Sequence, residues 1–137
     1  MIGIGVDAIE IGRVERALRR TPTLQARLYT ERERAACASR CGEPKMGGLA
    51  ARFAAKEAVA KAFGTGVKGF AFRDIEVLNE RTGRPAIHLS GGAAALAKKL
   101  GVDRIHLSLS TSDSLAIANV ILESADSPPP HPPEGPA

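Results

Sequence analysis

Apolar and polar positions alternate over residues 2–9, with Ile2, Ile4 and Val6 on one side and Gly3, Gly5 and Asp7 on the other. A period of two predicts a strand. The two glycines leave room beside Asp7 for a ligand or another backbone to approach. From about Glu10 the period lengthens: Val14, Ala17 and Leu18 define one helical face, with Arg13, Arg16, Arg19 and Arg20 on the solvent side. Thr21-Pro22 offers a cap followed by proline at a first helical position, a second helix start. Thr30-Glu31-Arg32-Glu33 has capping-box spacing and restarts a helix toward Cys41, until Gly42-Glu43-Pro44 breaks it.

A long helix is predicted from about Met46 to Phe63, with Gly64 placed to end it in the left-handed conformation. Ile75–Leu78 and Ala86–Leu89 read as strands joined around Thr82-Gly83-Arg84-Pro85, and Ala93–Leu100 as a helix stopped by Gly101. Ile105–Ser110 alternates strictly and Leu115–Leu122 is apolar, which together predict an antiparallel hairpin turning at Thr111–Ser114. Residues 124–137 hold six of the nine prolines without a packing pattern. The expected organisation is one domain over 1–123 and a disordered tail over 124–137. The fold class is α+β: a mainly antiparallel sheet packed with helices, one of them long and central.

Two short segments carry the candidate chemistry. Gly3-Ile4-Gly5-Val6-Asp7 puts a carboxylate at the end of a strand, and Arg52-Phe53-Ala54-Ala55-Lys56-Glu57-Ala58-Val59-Ala60-Lys61-Ala62 puts another on an alanine-rich helix with three cations. At 100° per residue Glu57 and Lys61 share one sector, while Arg52 and Lys56 share another with Val59 and Phe63. By spacing alone Glu57 and Lys61 form an ordinary exposed i,i+4 pair, and Asp7 a turn or cap residue. Two carboxylates with clustered cations also suit Mg²⁺ and phosphate, since Mg²⁺ is held by one or two carboxylates and keeps positions for substrate oxygens.

Both segments resemble the signatures of the holo-[acyl-carrier-protein] synthases, small phosphopantetheinyl transferases, and the resemblance spans residues 1–123. It implies transfer of 4′-phosphopantetheine from coenzyme A to a serine of apo-acyl carrier protein, releasing adenosine 3′,5′-bisphosphate, in support of fatty-acid or polyketide synthesis. It further implies Mg²⁺ held by Asp7 and Glu57, with Lys61 and Arg52 on coenzyme A phosphates and Glu57 and Lys61 as the catalytic pair. For the base it leaves two candidates, Glu57 through a water and a hydroxide on the metal. Gly83-Arg84-Pro85 matches a segment near bound coenzyme A, so Pro85 would frame the pocket. Ser108-Leu109-Ser110-Thr111 followed by Ala116-x-Ala118-x-Val120 resembles the family's closing hairpin, with Ser110 and Thr111 toward coenzyme A. Thr111 stands where that pattern has histidine. Lys56 lies in the motif but ranks lower, with solvent as its expected neighbour. The resemblance also implies a homotrimer with active sites between subunits.

The net charge of +4 suits anionic partners. The arginines Arg13, Arg16 and Arg20 are expected to dock an acidic carrier. Nucleic acid and membrane are not expected partners: the arginine segment lacks interleaved aromatics, and no apolar run approaches the ~20 residues of a membrane span. Cys37 and Cys41, with three scattered histidines, give no zinc spacing and are expected as free thiols. The start of the chain shows no basic, apolar leader pattern, so the expected location is cytoplasmic. The rival reading is a non-catalytic basic module that binds coenzyme A, a carrier protein or nucleic acid.

Overall fold

The glycines of the first strand decide how closely the central helix can approach. In the computed structural model, which describes residues 1–125, that strand is β1 (Gly3–Glu10) and the helix is α4 (Met46–Phe63). A Cβ on Gly3 would lie 2.0 Å from the Ala62 carbonyl oxygen, and one on Gly5 would lie 1.9 Å from that of Ala58. The space that the two glycines leave is thus filled by another backbone. Ala58 and Ala62 of α4 meet this face, and both are buried with Ala54 and Ala55, so helix and strand pack with almost no side chain between them. Gly5→Ala should therefore lower stability by about 1–3 kcal/mol, the usual cost of overpacking, in urea denaturation; no loss would mean that helix and strand separate freely.

The remaining elements are α1 (Ile11–Arg20), α2 (Leu24–Leu28), α3 (Glu31–Ala36), a single 3₁₀ turn (Phe72–Asp74), β2 (Ile75–Asn79), β3 (Pro85–Leu89), α5 (Gly91–Leu100), β4 (Arg104–Thr111) and β5 (Leu115–Glu123). All strand pairs are antiparallel, as expected. β1, β5 and β4 form one sheet in that order, and β2 and β3 form a separate hairpin. Register sets Gly5 opposite Val120 and Asp7 opposite Ala118. One core lies between α4, the sheets and α5, around Val59, Ile75, Val77, Val120 and Leu122. A second lies on the α1 side of α4, around Val14, Leu18, Tyr29 and Leu49. A helix flanked by cores on both sides has no continuous polar face.

Several local expectations shift. Thr21 closes α1, its N–H bonded to the Ala17 carbonyl, and α2 starts after Thr23 rather than at Pro22. The capping box at Thr30 and Glu33 forms as predicted, but α3 ends at Ala36. Cys37 is buried and Cys41 exposed, both as free thiols; a bridge between Ala38 and Pro44 replaces the predicted last helical turn. Helix α5 starts two residues early, at Gly91. Gly64 ends α4 with φ of 80°, the left-handed conformation glycine supplies without steric cost. The proline-rich segment falls, from residue 126 onward, outside the described residues. Among the described residues no helix is long and apolar enough to cross a membrane.

Candidate active site

Close packing of β1 on α4 brings residues 50 apart in sequence to one point. Asp7 faces the helix, and Lys61 in the last turn of α4 donates to its Oδ1 at 2.9 Å and to the Val6 carbonyl at 3.0 Å. The lysine is thus directed across to the strand rather than along its own helix to Glu57. Glu57 lies one turn before Lys61 and is half-buried. Desolvation, reinforced by the Asp7 charge and opposed by Lys61, pushes its carboxyl above the usual carboxylate range. Two carboxylates near enough to repel, with one ammonium between two demands, form a site short of positive charge.

Asp7 and Glu57 open onto a cleft of about 510 Å³. Val14, Ala17 and Leu18 of α1, Leu24 and Leu28 of α2, and Phe53 of α4 make it largely apolar, and Glu10 and Arg13 add charge to its lining. The Phe53 ring is backed by Phe72, with centroids 5.6 Å apart. Arg16 and Arg20 are exposed on α1, while Arg19 is tied to Glu15 at 2.9 Å. By period alone Val14 and Leu18 read as core, and nothing in the pattern singles out Phe53. The helical period shows which residues turn inward, but not that the elements they face stop short of closing.

A second cleft, of about 540 Å³, shares no lining residue with the first. Arg52, Asn79, Gly83, Arg84, Pro85, Ser108 and Thr111 line it. Arg52 is mostly buried; its Nε donates to the Val77 carbonyl at 3.1 Å and its Nη1 to that of Gly48 at 3.3 Å. Ser110 is exposed on β4 opposite Ile117 and is not part of this lining. The structure therefore brings together Asp7, Glu57 and Lys61 at one place, and Arg52, Pro85 and Thr111 at another.

Lys56 departs from expectation. Solvent was its expected neighbour, yet its side chain is fully buried. Its Nζ lies 2.8 Å from Glu33 Oε1 and 3.0 Å from the Phe72 carbonyl, and also donates to the Ile75 carbonyl. The Tyr29 ring lies 5.7 Å away. In the sequence Glu33 stands out only as a helix cap. Its Oε1 does accept from the Thr30 N–H, while its Oε2 accepts from the Val77 N–H at 3.0 Å. Nothing local in the sequence marks a capping glutamate as the partner of a lysine 23 residues on.

Among the described residues no group of three or more His, Cys, Asp or Glu side chains could hold a metal. Asp7 and Glu57 still suit Mg²⁺: both offer hard oxygens, their mutual repulsion calls for a cation, and Mg²⁺ needs few protein ligands.

Residues 3–120 match the family described as the 4′-phosphopantetheinyl transferase superfamily. The chain is 46% identical to a holo-[acyl-carrier-protein] synthase of Clostridium novyi, over 90% of this chain and 88% of that one. It is 45% identical to one of Moorella thermoacetica, over 91% and 96%. The fold is similar to the crystal structure of a holo-[acyl-carrier-protein] synthase from Neisseria meningitidis, with TM-score 0.81, 30% identity, and coverage of 90% of this chain and 99% of that one. It is also similar to one from Bacillus anthracis in complex with CoA (3′,5′-ADP), with TM-score 0.73, 38% identity, and coverage of 90% and 97%. This chain belongs to the 4′-phosphopantetheinyl transferase superfamily, among the holo-[acyl-carrier-protein] synthases.

Proposed function

We propose that the protein transfers 4′-phosphopantetheine from coenzyme A to a serine hydroxyl of an apo-acyl carrier protein, releasing adenosine 3′,5′-bisphosphate. The observation that carries this reading is the convergence of Asp7, Glu57 and Lys61 beside an open cleft, in a chain related to proteins of that name. Asp7 and Glu57 would hold Mg²⁺, which when bound offsets the charge of the pyrophosphate. Lys61 supplies a mobile positive charge for the phosphate, as a point charge that can follow it. Glu57 is the group of this chain that would receive the serine proton through a water. The serine oxygen forms a bond to the phosphorus bearing the pantetheine, and the bond to the departing bisphosphate breaks. Positioning and electrostatics supply most of the acceleration.

Arg52, Arg84 and Pro85, with the hydroxyl of Thr111, suit the nucleotide end of coenzyme A in the second cleft. Because the two clefts share no residue, a site between subunits would join the first cleft of one to the second of its neighbour. The outer face of the three-stranded sheet favours such an assembly: Ile4, Val6 and Ile121 are 61%, 54% and 37% exposed, and Ile4 pairs with Ile121. An uncovered apolar face on a small chain suits contact with other copies. We assign the homotrimer implied by the family resemblance to this face, and a cytoplasmic location to the protein.

The direct test is incubation with coenzyme A, Mg²⁺ and an apo-carrier, read by the mass shift of the carrier, with chelator as control. A module that only binds would leave the carrier mass unchanged. Thr111 has a hydroxyl that donates and accepts but does not titrate near neutrality. Thr111→Val should slow transfer about tenfold, the equivalent of one hydrogen bond; an unchanged rate would remove Thr111 from the site. On α1, Arg13→Glu with Arg20→Glu should weaken carrier binding and flatten its salt dependence without altering coenzyme A affinity. Equal loss for both substrates in titrations would move these arginines to coenzyme A or to folding.

A further inference from the structure

Lys61 is not free to meet a phosphate in this structure. Its ammonium is held at 2.9 Å by Asp7 Oδ1 and at 3.0 Å by the Val6 carbonyl, while Glu57, four residues earlier on the same helix, lines one cleft with Asp7. A divalent cation on Asp7 and Glu57 would sit within a few ångströms of that ammonium, with strong like-charge repulsion. Each weakens the other's hold on Asp7. Asp7 is fixed in β1, paired with Ala118, and has only a short side chain. The Lys61 side chain is 53% exposed and rides on a flexible four-carbon stem. The lysine is therefore the partner that moves.

We propose that Lys61 and the divalent cation compete for Asp7, so that metal loading releases the ammonium to the phosphate of the incoming substrate. The inference rests on the reading of Asp7 and Glu57 as metal ligands. In the metal-free protein Lys61 neutralises Asp7 and keeps the charge-poor site closed to stray cations. The arriving metal displaces it, and a phosphate gives it a new acceptor. Metal and phosphate thereby favour each other's binding, each by the same factor. The sequence offers no trace of this, because Lys61 looks there like half of a helical pair with Glu57.

The test is metal binding with neither coenzyme A nor carrier present, followed by electron paramagnetic resonance of Mn²⁺ and its displacement by Mg²⁺. Lys61→Met should bind the metal about fivefold more tightly than wild type, the scale of a half-exposed ion pair. Lys61→Gln, which keeps hydrogen bonding without the charge, should tighten it as well. Asp7→Asn and Glu57→Gln should each weaken binding by more than tenfold. In the wild-type protein the ε-methylene resonance of Lys61 should shift as Mg²⁺ is added. If the carboxylate variants lose the metal but both lysine variants bind it no more tightly than wild type, the competition is disproved while the metal site stands. A lysine resonance unmoved at saturating Mg²⁺ likewise disproves the competition. If the carboxylate variants bind as wild type does, the metal site itself is wrong and the proposal falls with it.

Discussion

Lys56→Met should destabilise the protein by about 3–5 kcal/mol, the cost of breaking a buried ion pair on one side only. The substitution leaves the Glu33 carboxylate fully buried, and leaves the carbonyls of Phe72 and Ile75 without the ammonium they accept from. Methionine fills the volume of the stem, so the effect is one of polarity and not of a cavity. At this chain length the loss corresponds to a fall in melting temperature on the order of 10 °C or more, measured at fixed protein concentration because association shifts it. Adding Glu33→Leu should recover part of the loss, since removing both charges ends the mismatch. Recovery stays incomplete because Glu33 also holds the N–H groups of Thr30 and Val77. If Lys56→Met alone left the melting temperature within a degree or two, the pair would not be sealed from water as the structure has it.

The same network braces the site. Lys56 and Arg52 both reach from α4 to the β2 region, Lys56 at the Ile75 carbonyl and Arg52 at that of Val77. They fasten the helix carrying Glu57 and Lys61 to the hairpin carrying Arg84 and Pro85. Lys56 also holds the carbonyl of Phe72, whose ring backs Phe53 in the wall of the first cleft. The two cations, on a different sector of α4 from Glu57, thus set the frame in which it works.

How much of this was legible depended on the range of the forces involved. The strand at residues 2–9, the long helix with its Gly64 stop and the Thr30–Glu33 capping box are set by period and by neighbours within one turn. Each formed close to where the pattern placed it. The start of α2 and the end of α3 did not, because short segments take their boundaries from tertiary packing. Asp7, Glu57 and Lys61 were legible as a cluster through the resemblance, and Gly3 and Gly5 showed room for a ligand or another backbone to approach. That the approaching group is the backbone of α4 follows only from the packed structure. The Lys56–Glu33 pair was invisible for the same reason: its members are in separate helices, and a charged residue in a helix reads as solvent-facing until both of its sides are seen to be buried. The apolar lining of the first cleft reads as core because periodicity reports direction and not closure.

Asp7→Asn and Glu57→Gln should each reduce phosphopantetheine transfer at least a hundredfold, since the loss of a few kcal/mol of transition-state stabilisation means factors of that size. Both changes are nearly isosteric, so the cleft keeps its shape while it loses negative charge. Their effects on stability should differ, and this separates a functional carboxylate from a structural one. Asp7→Asn gives up the ion pair with Lys61, half-exposed and worth no more than about 1 kcal/mol. Glu57→Gln should do the reverse. Burial and Asp7 raise the pKa of Glu57 in the folded state, so the folded protein holds that proton more tightly than the unfolded chain. Its favourable contribution is complete below the unfolded pKa and is lost as pH rises through the folded one. At neutral pH without metal the ionised Glu57 is therefore a liability, and glutamine removes it. A slightly higher melting temperature at pH 7, fading toward pH 4, should accompany the loss of activity. Thermal scans of the metal-free protein across that range, set beside the carrier mass-shift assay, decide the matter. A Glu57→Gln variant that is less stable at pH 7 would make Glu57 a structural residue, and one that still transfers at near-normal rates would remove it from the chemistry.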